Sequence, residues 1–585
     1  MSESLKKTSI KKRYEPIIPV KITGGILKDR CQKNFQNFFM KENIDDLKKV
    51  YAETHDSTSA VPAYVNIYID AAIQLYLNNG NKEMLNRAKE LVFSIIDNQR
   101  ENGHVGNYYP GLEFNDTFVV SIQGSAIGVL LSYYEITEEN RALDAAMRCA
   151  DYIASNYLRK DGPDLLNTTN QGIENSLILQ PMVRLYSITG KKLYKDLCDF
   201  IIQKWESTTL KFISRPKVFH LGCVKTPETV MAYQGLIEYG IHQGKHNYID
   251  AAAEYWEDLN DHQIGLTGNG GIVEFWNYLG NEPALLNNDC RPNENCAAVG
   301  WMRFCVALFS LNPEVKYMDA FERTLFNHLL GSQALDGSSF SYYQGNYGKK
   351  VHKIRPEWYQ ACRYNGMNML INIPEYIYWK SSEGFTVVLY CSSEMHSEYN
   401  GVKVKFLQET TYPRKGKVLI KVQPESDIKF TLKLRIPSWC INPCATINGD
   451  VLPIENDHGY ICIEKIWKVS GDVIELSLDM PVRCIDGFVD ENGDENIAVT
   501  YGPILLAIDS RYGTPIDSTK IKLKNDCVEL KSILDDDSSY APLVKFMSSG
   551  SIDGKLKEMT LVDYASAGSI DNIKDRFRVW LPIFK

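Results

Sequence analysis

Three short stretches carry the side chains that could do chemistry. The first is Gly270-Gly271-Ile272-Val273-Glu274-Phe275-Trp276, a glycine-rich loop with a single carboxylate among apolar neighbours. Apolar surroundings disfavour the ionised form, so such a carboxyl can hold its proton near neutral pH and act as a general acid. The competing reading is a helix-capping or ion-paired Glu274. The second stretch is Asn293-Glu294-Asn295-Cys296-Ala297-Ala298. Residues two apart cannot share one helix face, so Glu294 and Cys296 converge only at a loop-to-helix junction, with Asn293 or Asn295 as N-cap. The competing reading is a capping carboxylate and a buried thiol. The third is Trp358-Tyr359-Gln360-Ala361-Cys362-Arg363-Tyr364-Asn365. Glu274 and Glu294 alone could also act as a pair of carboxyl groups, one giving and one taking a proton.

Those residues need a scaffold. From about residue 27 to 330 the apolar residues recur at helical spacing. The pattern predicts helices over Ala60–Tyr76, Asn81–Asp97, Ser121–Tyr134, Ala142–Tyr157, Asn175–Thr189, Tyr194–Trp205, Pro227–His242, Asn247–Leu259 and Cys296–Leu311. Gly80, Gly103 and Gly190 suit helix C-caps between them. Head-to-tail pairing over some 300 residues points to an α/α toroid with loops gathered at one mouth; an open solenoid is disfavoured by the lack of a fixed-period repeat. After about residue 375 the texture becomes short β-rich runs: Gly384–Cys391, Val402–Phe406, Lys417–Val422, Ile428–Ile436 and Val473–Leu478, then Ile497–Leu506, Thr560–Tyr564 and Phe577–Trp580. Turns such as Asn448-Gly449 and Ser470-Gly471 between them suggest antiparallel sandwich material. The expected division is a tail and strand over 1–26, a helical catalytic domain over 27–380, a β-sandwich over 381–495, and a second sandwich or extension over 496–585.

Composition narrows the partners. The net charge of −9 argues against nucleic acid and anionic membranes. Ser2–Arg13, with five basic residues, reads as a solvated tail. The opening residues have no signal-like apolar run, and no segment approaches the roughly 20 apolar residues of a span. Fourteen scattered cysteines then read as reduced thiols. The expectation is a cytoplasmic protein acting on a small carbohydrate, with room for a homodimer, and with aromatic content of 11% suited to sugar stacking.

Taken in order, Gln99–Tyr108, Glu322–Gly337 with Phe340–Tyr342, Leu434–Trp439, Gly459–Trp467, Met480-Pro481-Val482, Tyr501-Gly502-Pro503 and Arg578-Val579-Trp580-Leu581 resemble glycoside hydrolase family 127, the β-L-arabinofuranosidase-like proteins. The resemblance implies an all-α (α/α)6 barrel followed by all-β sandwich domains. It also implies a retaining, exo-acting glycosidase with a zinc-bound Cys thiolate as nucleophile and a Glu as acid/base. By that resemblance Glu274 is the acid/base, Glu294 and Cys296 are zinc ligands, and Cys362 falls on one of two adjacent family cysteines. Counting back from Ile373-Pro374 puts Cys362 on the second and Ala361 on the first, the nucleophile; counting from the preceding residues puts Cys362 on the nucleophile. Either way one thiol is missing, and Glu294, Cys296 and Cys362 make a three-ligand zinc site, with Asp289 or Cys290 as candidate replacements. Family histidines at the sugar fall on Ser125, Gln171 and Val230; His104 and His220 could substitute. Tyr342 matches a tyrosine near the nucleophile, and Trp276, Trp358 and Tyr343 are candidate stacking rings. The altered positions also leave open a metal-free Glu274/Glu294 hydrolase, or a sugar-binding protein without catalysis.

Overall fold

The computed structural model describes residues 12–54, 61–106, 108–109, 111, 114, 118–278, 285–352, 360–454, 456–524, 526–533, 542–569 and 575–584. Trp358 and most of the basic N-terminal tail lie outside them.

The longer helices are α1 (Gly25–Asn37), α2 (Ile44–Ala52), α3 (Val61–Asn79), α4 (Lys82–Asp97), α5 (Val119–Thr137), α6 (Asn140–Tyr157), α7 (Leu179–Thr189), α8 (Lys192–Ser207), α9 (Thr226–Gln243), α10 (His246–His262), α11 (Asn295–Leu311), α12 (Val315–Arg323) and α13 (Gln360–Asn372). Two kinds of sequence build them. α4, α6 and α10 are amphipathic and bury one stripe. α5, α9 and α11 are buried on nearly every side, as helices apolar all round must be. α5 is long and apolar enough to cross a membrane by length and composition, but 61% of it is buried inside the protein.

The contacts follow from this difference. α3 packs on α5, α5 on α7, α7 on α9, α9 on α11, α11 on α13, and α13 back on α3. Among the described residues that closes a circuit of six helices. The amphipathic helices lie behind them: α4 against α3, α6 against α5, α8 against α7, α10 against α9, α12 against α11. Alternate helices run the same way, so the N-termini of α9, α11 and α13 come to one end.

Among the described residues, three sheets complete the fold. A six-stranded sheet runs Glu15–Pro16, Tyr378–Ser381, Gly384–Val387, Ile428–Arg435, Tyr460–Trp467, Asn456–Asp457. A seven-stranded sheet contains Val20–Ile22, Ser393–Tyr399, Val402–Thr410, Lys417–Pro424 and Asp472–Ser477. In Lys417–Pro424 the buried Val418, Ile420 and Val422 alternate with more exposed residues, and Ile420 pairs with Ile474. A ten-stranded sheet takes Val482–Val489, Glu495–Tyr501 and most of the later strands, with Tyr347–Gly348 at its edge.

Several expectations change. The first two strands, Glu15–Pro16 and Val20–Ile22, belong to the first two sheets rather than to a separate tail. Tyr378–Ser381 already belongs to a sheet, so the helical part ends before residue 380. Val482–Val489 pairs with Glu495–Tyr501, which moves the later boundary from 495 to about 481. Ile497–Leu506 is not one strand but the ends of two, because Gly502-Pro503 turns the chain and Thr500 then faces Leu505.

A buried ion cluster joins the sheets to the helices. Arg435, on the six-stranded sheet, bonds Asp319 and Glu322 of α12. Tyr412 and Trp439 also donate to Glu322, at 2.8 and 3.2 Å. Arg435 and Glu322 are almost fully buried, and removing one partner strands the rest out of water. Arg435→Met should therefore lower stability by about 3–5 kcal/mol in urea titrations; a loss under about 1 kcal/mol would show that the cluster does not hold the two parts together.

Candidate active site

The end of the ring where α9, α11 and α13 begin gathers the chemical groups. Cys296 lies in the first turn of α11 and Cys362 in the first turn of α13. Their sulfurs are 2.8 Å apart, and the Cys362 sulfur is 3.3 Å from Glu294 Oε1. One ligand atom from each of Glu294, Cys296 and Cys362 lies within 4.8 Å of the others. Gly366 allows this approach: a Cβ there would come within 2.5 Å of the Phe340 ring and 2.8 Å of Asn295 Nδ2. Asn295 Nδ2 in turn donates to the Cys362 carbonyl at 2.9 Å, tying one helix start to the other.

The junction expected at Glu294 is present, but Glu294 itself is the N-cap position of α11, in extended backbone and with no side-chain cap bond. Its carboxylate is freed for the cluster instead. Thr226 Oγ1 donates to it at 3.4 Å, and Asn269 Nδ2 donates to its carbonyl at 2.8 Å. Burial, then the charges of Glu274 and Glu228, push the Glu294 carboxyl up to about 8. Burial also drives the Cys362 thiol well up. Cys296 is held up by burial and Glu294, although the Cys362 contact works the other way. A buried carboxylate and two thiols this close stay protonated unless a cation joins them. One oxygen and two sulfurs are a donor set suited to zinc, with a coordination position left open. Among the described residues, Asp289 and Cys290 are exposed and outside this cluster.

Glu274 reaches the site on a tight turn. Ile272 and Phe275 exchange both backbone hydrogen bonds, at 2.9 and 3.1 Å, so Val273 and Glu274 form a two-residue hairpin loop. Their φ values are +52° and +69°. That is the geometry of a mirror-image hairpin turn, which asks for Asn-Gly, and a β-branched residue there is strained. Such strain persists where surrounding structure imposes it, characteristically at functional sites. Val273 N–H is fixed to the Arg291 carbonyl at 2.8 Å, and the Glu274 carbonyl accepts from Thr226 N–H at 2.7 Å. The Glu274 carboxylate accepts from both Tyr342 and Tyr343, the latter at 3.0 Å. The Tyr342 carbonyl also accepts from Asn295 N–H at 2.9 Å, between Glu294 and Cys296 at the start of α11. Tyr342 thus bridges the acid and the thiol cluster.

The remaining sequence candidates divide. Gln171 lines a cavity of about 460 Å³ with Asn170, Val224, Phe275, Trp276 and Tyr278, and its amide is held by the Gly222 carbonyl and Thr209. Trp276 is 2% exposed and donates to Thr229 Oγ1 at 3.1 Å, so it is chiefly a core residue whose edge meets that cavity. The Ser125 hydroxyl is engaged by Ile122 and Asn66, both at 2.8 Å. Val230 is fully buried inside α9 and faces Gly300. His104 is buried and His220 exposed, and neither touches the cluster in any described contact.

Sequence reasoning missed Lys225. It sits just before α9, 3.9 Å from Glu274, 2.8 Å from Glu228 and 3.2 Å from Glu174, and is nearly fully buried. The signal was Thr226-Pro227: proline in a helix's first turn marks where the helix begins. Counting into the helix interior reaches Val230 instead.

Residues 20–375 match the family model described as β-L-arabinofuranosidase, GH127 catalytic domain. Residues 384–480 match the GH127 middle domain. The chain belongs to glycoside hydrolase family 127. A non-reducing end β-L-arabinofuranosidase of Bifidobacterium longum subsp. longum is 25% identical over 437 residues, 66% of this chain and 64% of that protein. The aligned part thus spans under two thirds of that relative. A GH127 β-L-arabinofuranosidase from Geobacillus stearothermophilus T6 has the same fold, with a TM-score of 0.79 at 21% identity over 97% of this chain and 100% of that one. A GH127 β-arabinofuranosidase superposes with a TM-score of 0.82 at 22% identity, covering 98% of each chain. GH127 membership accounts for the helical part followed by sheets, and it draws attention to the neighbours of Cys362, Ala361 and Arg363, one of which stands where the resemblance calls for a second adjacent thiol.

The strained turn makes a local prediction. Val273→Gly should raise stability by about 1 kcal/mol, because glycine occupies positive φ without penalty. Equal or lower stability in chemical denaturation would mean that the turn is unstrained.

Proposed function

We propose that the protein is a retaining, exo-acting glycosidase that releases a terminal β-L-arabinofuranosyl residue from a small glycoside or oligosaccharide. The observation that carries this reading is the bridge by Tyr342, whose hydroxyl binds the Glu274 carboxylate and whose carbonyl accepts from Asn295 N–H, between Glu294 and Cys296 of the cluster. The six-helix circuit and its outer partners support an (α/α)6 barrel, with the two smaller sheets as a β-sandwich behind it. The curated relative's non-reducing-end specificity supports exo action.

Glu294, Cys296 and Cys362 would hold the zinc that the family implies, and its charge would keep the thiols ionised at neutral pH. Glu274, protonated, gives its proton to the glycosidic oxygen as the bond to the anomeric carbon breaks. The Cys362 sulfur forms the new bond to that carbon. Glu274, now a carboxylate, then takes a proton from water as the water oxygen attacks and the sulfur leaves. Two displacements at one carbon retain its configuration. Tyr342 and Tyr343 orient the Glu274 carboxyl throughout. A metal-free pair of Glu274 and Glu294 fits less well, because a carboxylate nucleophile must be ionised and Glu294 is held up to about 8.

Free thiols at all fourteen cysteines support a reducing compartment, the cytoplasm, and the acidic net charge supports a carbohydrate as partner rather than nucleic acid or membrane. With Gln171 where the resemblance implies a histidine, an amide would hold the sugar's hydroxyls there in place of an imidazole.

The test is a panel of 4-nitrophenyl furanosides and pyranosides with elemental analysis of the purified protein. The expected result is fastest turnover of the β-L-arabinofuranoside and about one zinc per chain. Cys362→Ala should lower kcat by at least about 10³-fold, and a slow substrate should leave a glycosyl adduct on the peptide containing Cys362. An adduct on Glu294, or undiminished turnover by the alanine variant, would remove the thiol mechanism.

A further inference from the structure

Lys225 is a buried cation that the mechanism above does not use. Its ammonium is 3.9 Å from Glu274 Oε2, on the opposite carboxylate oxygen from the two tyrosines. Burial works against its charge, but Glu228 and Glu174 outweigh that and hold its pKa above the ordinary value. It therefore remains an ammonium. Phe118 covers it from a further side, with the nitrogen 4.8 Å from the ring centroid. Phe118 sits at φ +73° at the start of α5, a rare conformation for a bulky residue. Two buried carboxylates and a strained aromatic side chain thus hold one cation against the acid/base group. Asn170 Nδ2 locks Glu174 from behind at 2.7 Å.

We propose that Lys225 is a positioning residue for the acid/base step, its fixed ammonium stabilising the negative charge that appears on Glu274 as it gives up its proton. The inference rests on the glycosidase reading. In the first displacement the Glu274 O–H bond breaks, the proton goes to the departing glycosidic oxygen, and the electron pair stays on the carboxylate beside Lys225. Lys225 keeps all its protons. Such help matters in proportion to how much protonation the leaving group needs. A sugar or alkoxide cannot depart without the proton; a dinitrophenolate can. Lys225 should therefore act on poor leaving groups and much less on good ones, a signature that loosened folding does not produce.

The experiment compares kcat/KM across one glycon, the one the wild type cleaves fastest in the panel, carried on leaving groups from methyl and 4-nitrophenyl to 2,4-dinitrophenyl. Lys225→Met should lose about 100-fold on the methyl glycoside, the low end of what acid catalysis supplies, and under about 10-fold on the dinitrophenyl one. Lys225→Arg should recover most of the lost rate. Because Lys225→Met strands two buried carboxylates, the charge-balanced Lys225→Met/Glu228→Gln variant is measured beside it and should show the same dependence on leaving group. Equal losses on all leaving groups in both variants, or no loss, would overturn the proposal. A wild type that cleaves no member of the panel would strike instead at the glycosidase reading, and remove the inference along with it.

Discussion

The site depends on packing acidic groups out of water with too little positive charge beside them. Glu174, Glu228, Glu294 and Cys362 are buried, Cys296 and Glu274 partly so, and in the described contacts Lys225 is the cation beside Glu174, Glu228 and Glu274. Repulsion and desolvation together make such a cluster costly unless protons, a metal or helix ends offset it. All three have a place here. Glu294 and the thiols are raised toward their protonated forms. They sit at the starts of α11 and α13, where unpaired backbone N–H groups favour negative charge. Their donor atoms are close enough for one soft divalent ion.

That arrangement is possible only because the ring aligns helix starts. Alternate helices in a head-to-tail circuit point the same way, so every inner helix offers its N-terminus to the same mouth. The interlocked glycine at 366 then sets how near two of those starts come. The sheets act from outside. Lys350, on the segment that leads away from Tyr342 and Tyr343, bonds the backbone carbonyls of Tyr564 and Ala565 in the last part of the chain. Tyr564 in turn donates to the Gly345 carbonyl at 2.8 Å. The tyrosines that orient Glu274 are thus anchored by residues more than 200 positions away. This gives the distant β-rich region a direct part in the site.

How much of this is legible in the chain differs by element, for physical reasons. α4 and the strand Lys417–Pro424 each bury one face, so their periodicities, 3.6 and 2, are visible. α13 gives no such signal because it is packed on several sides and its buried positions include Asn368 and Asn372, which bond one another and, through Asn368, Arg303 and Asp70. No apolar stripe marks it. The Glu294-x-Cys296 junction is legible because spacing alone forbids a shared helix face. The turn at Val273-Glu274 is not, since its residues contradict the turn they form; local preference fails there because the flanking bonds to Arg291 and Thr226 override it.

Lys225 and the missing thiol beside Cys362 together describe how this member departs from the pattern its resemblance implies. With one of the two adjacent thiols missing, the cluster carries less negative charge and offers three donors instead of four. A metal held by Glu294, Cys296 and Cys362 would, with fewer anionic ligands, keep more of its own charge, and a thiolate among those ligands would be a weaker base and a better leaving group. The second displacement, in which the sulfur departs, would then ask less of the water that Glu274 activates. The first displacement would ask more, because a less basic sulfur attacks more weakly and the leaving oxygen must be more fully protonated. A fixed ammonium beside Glu274 strengthens the group on which that extra demand falls.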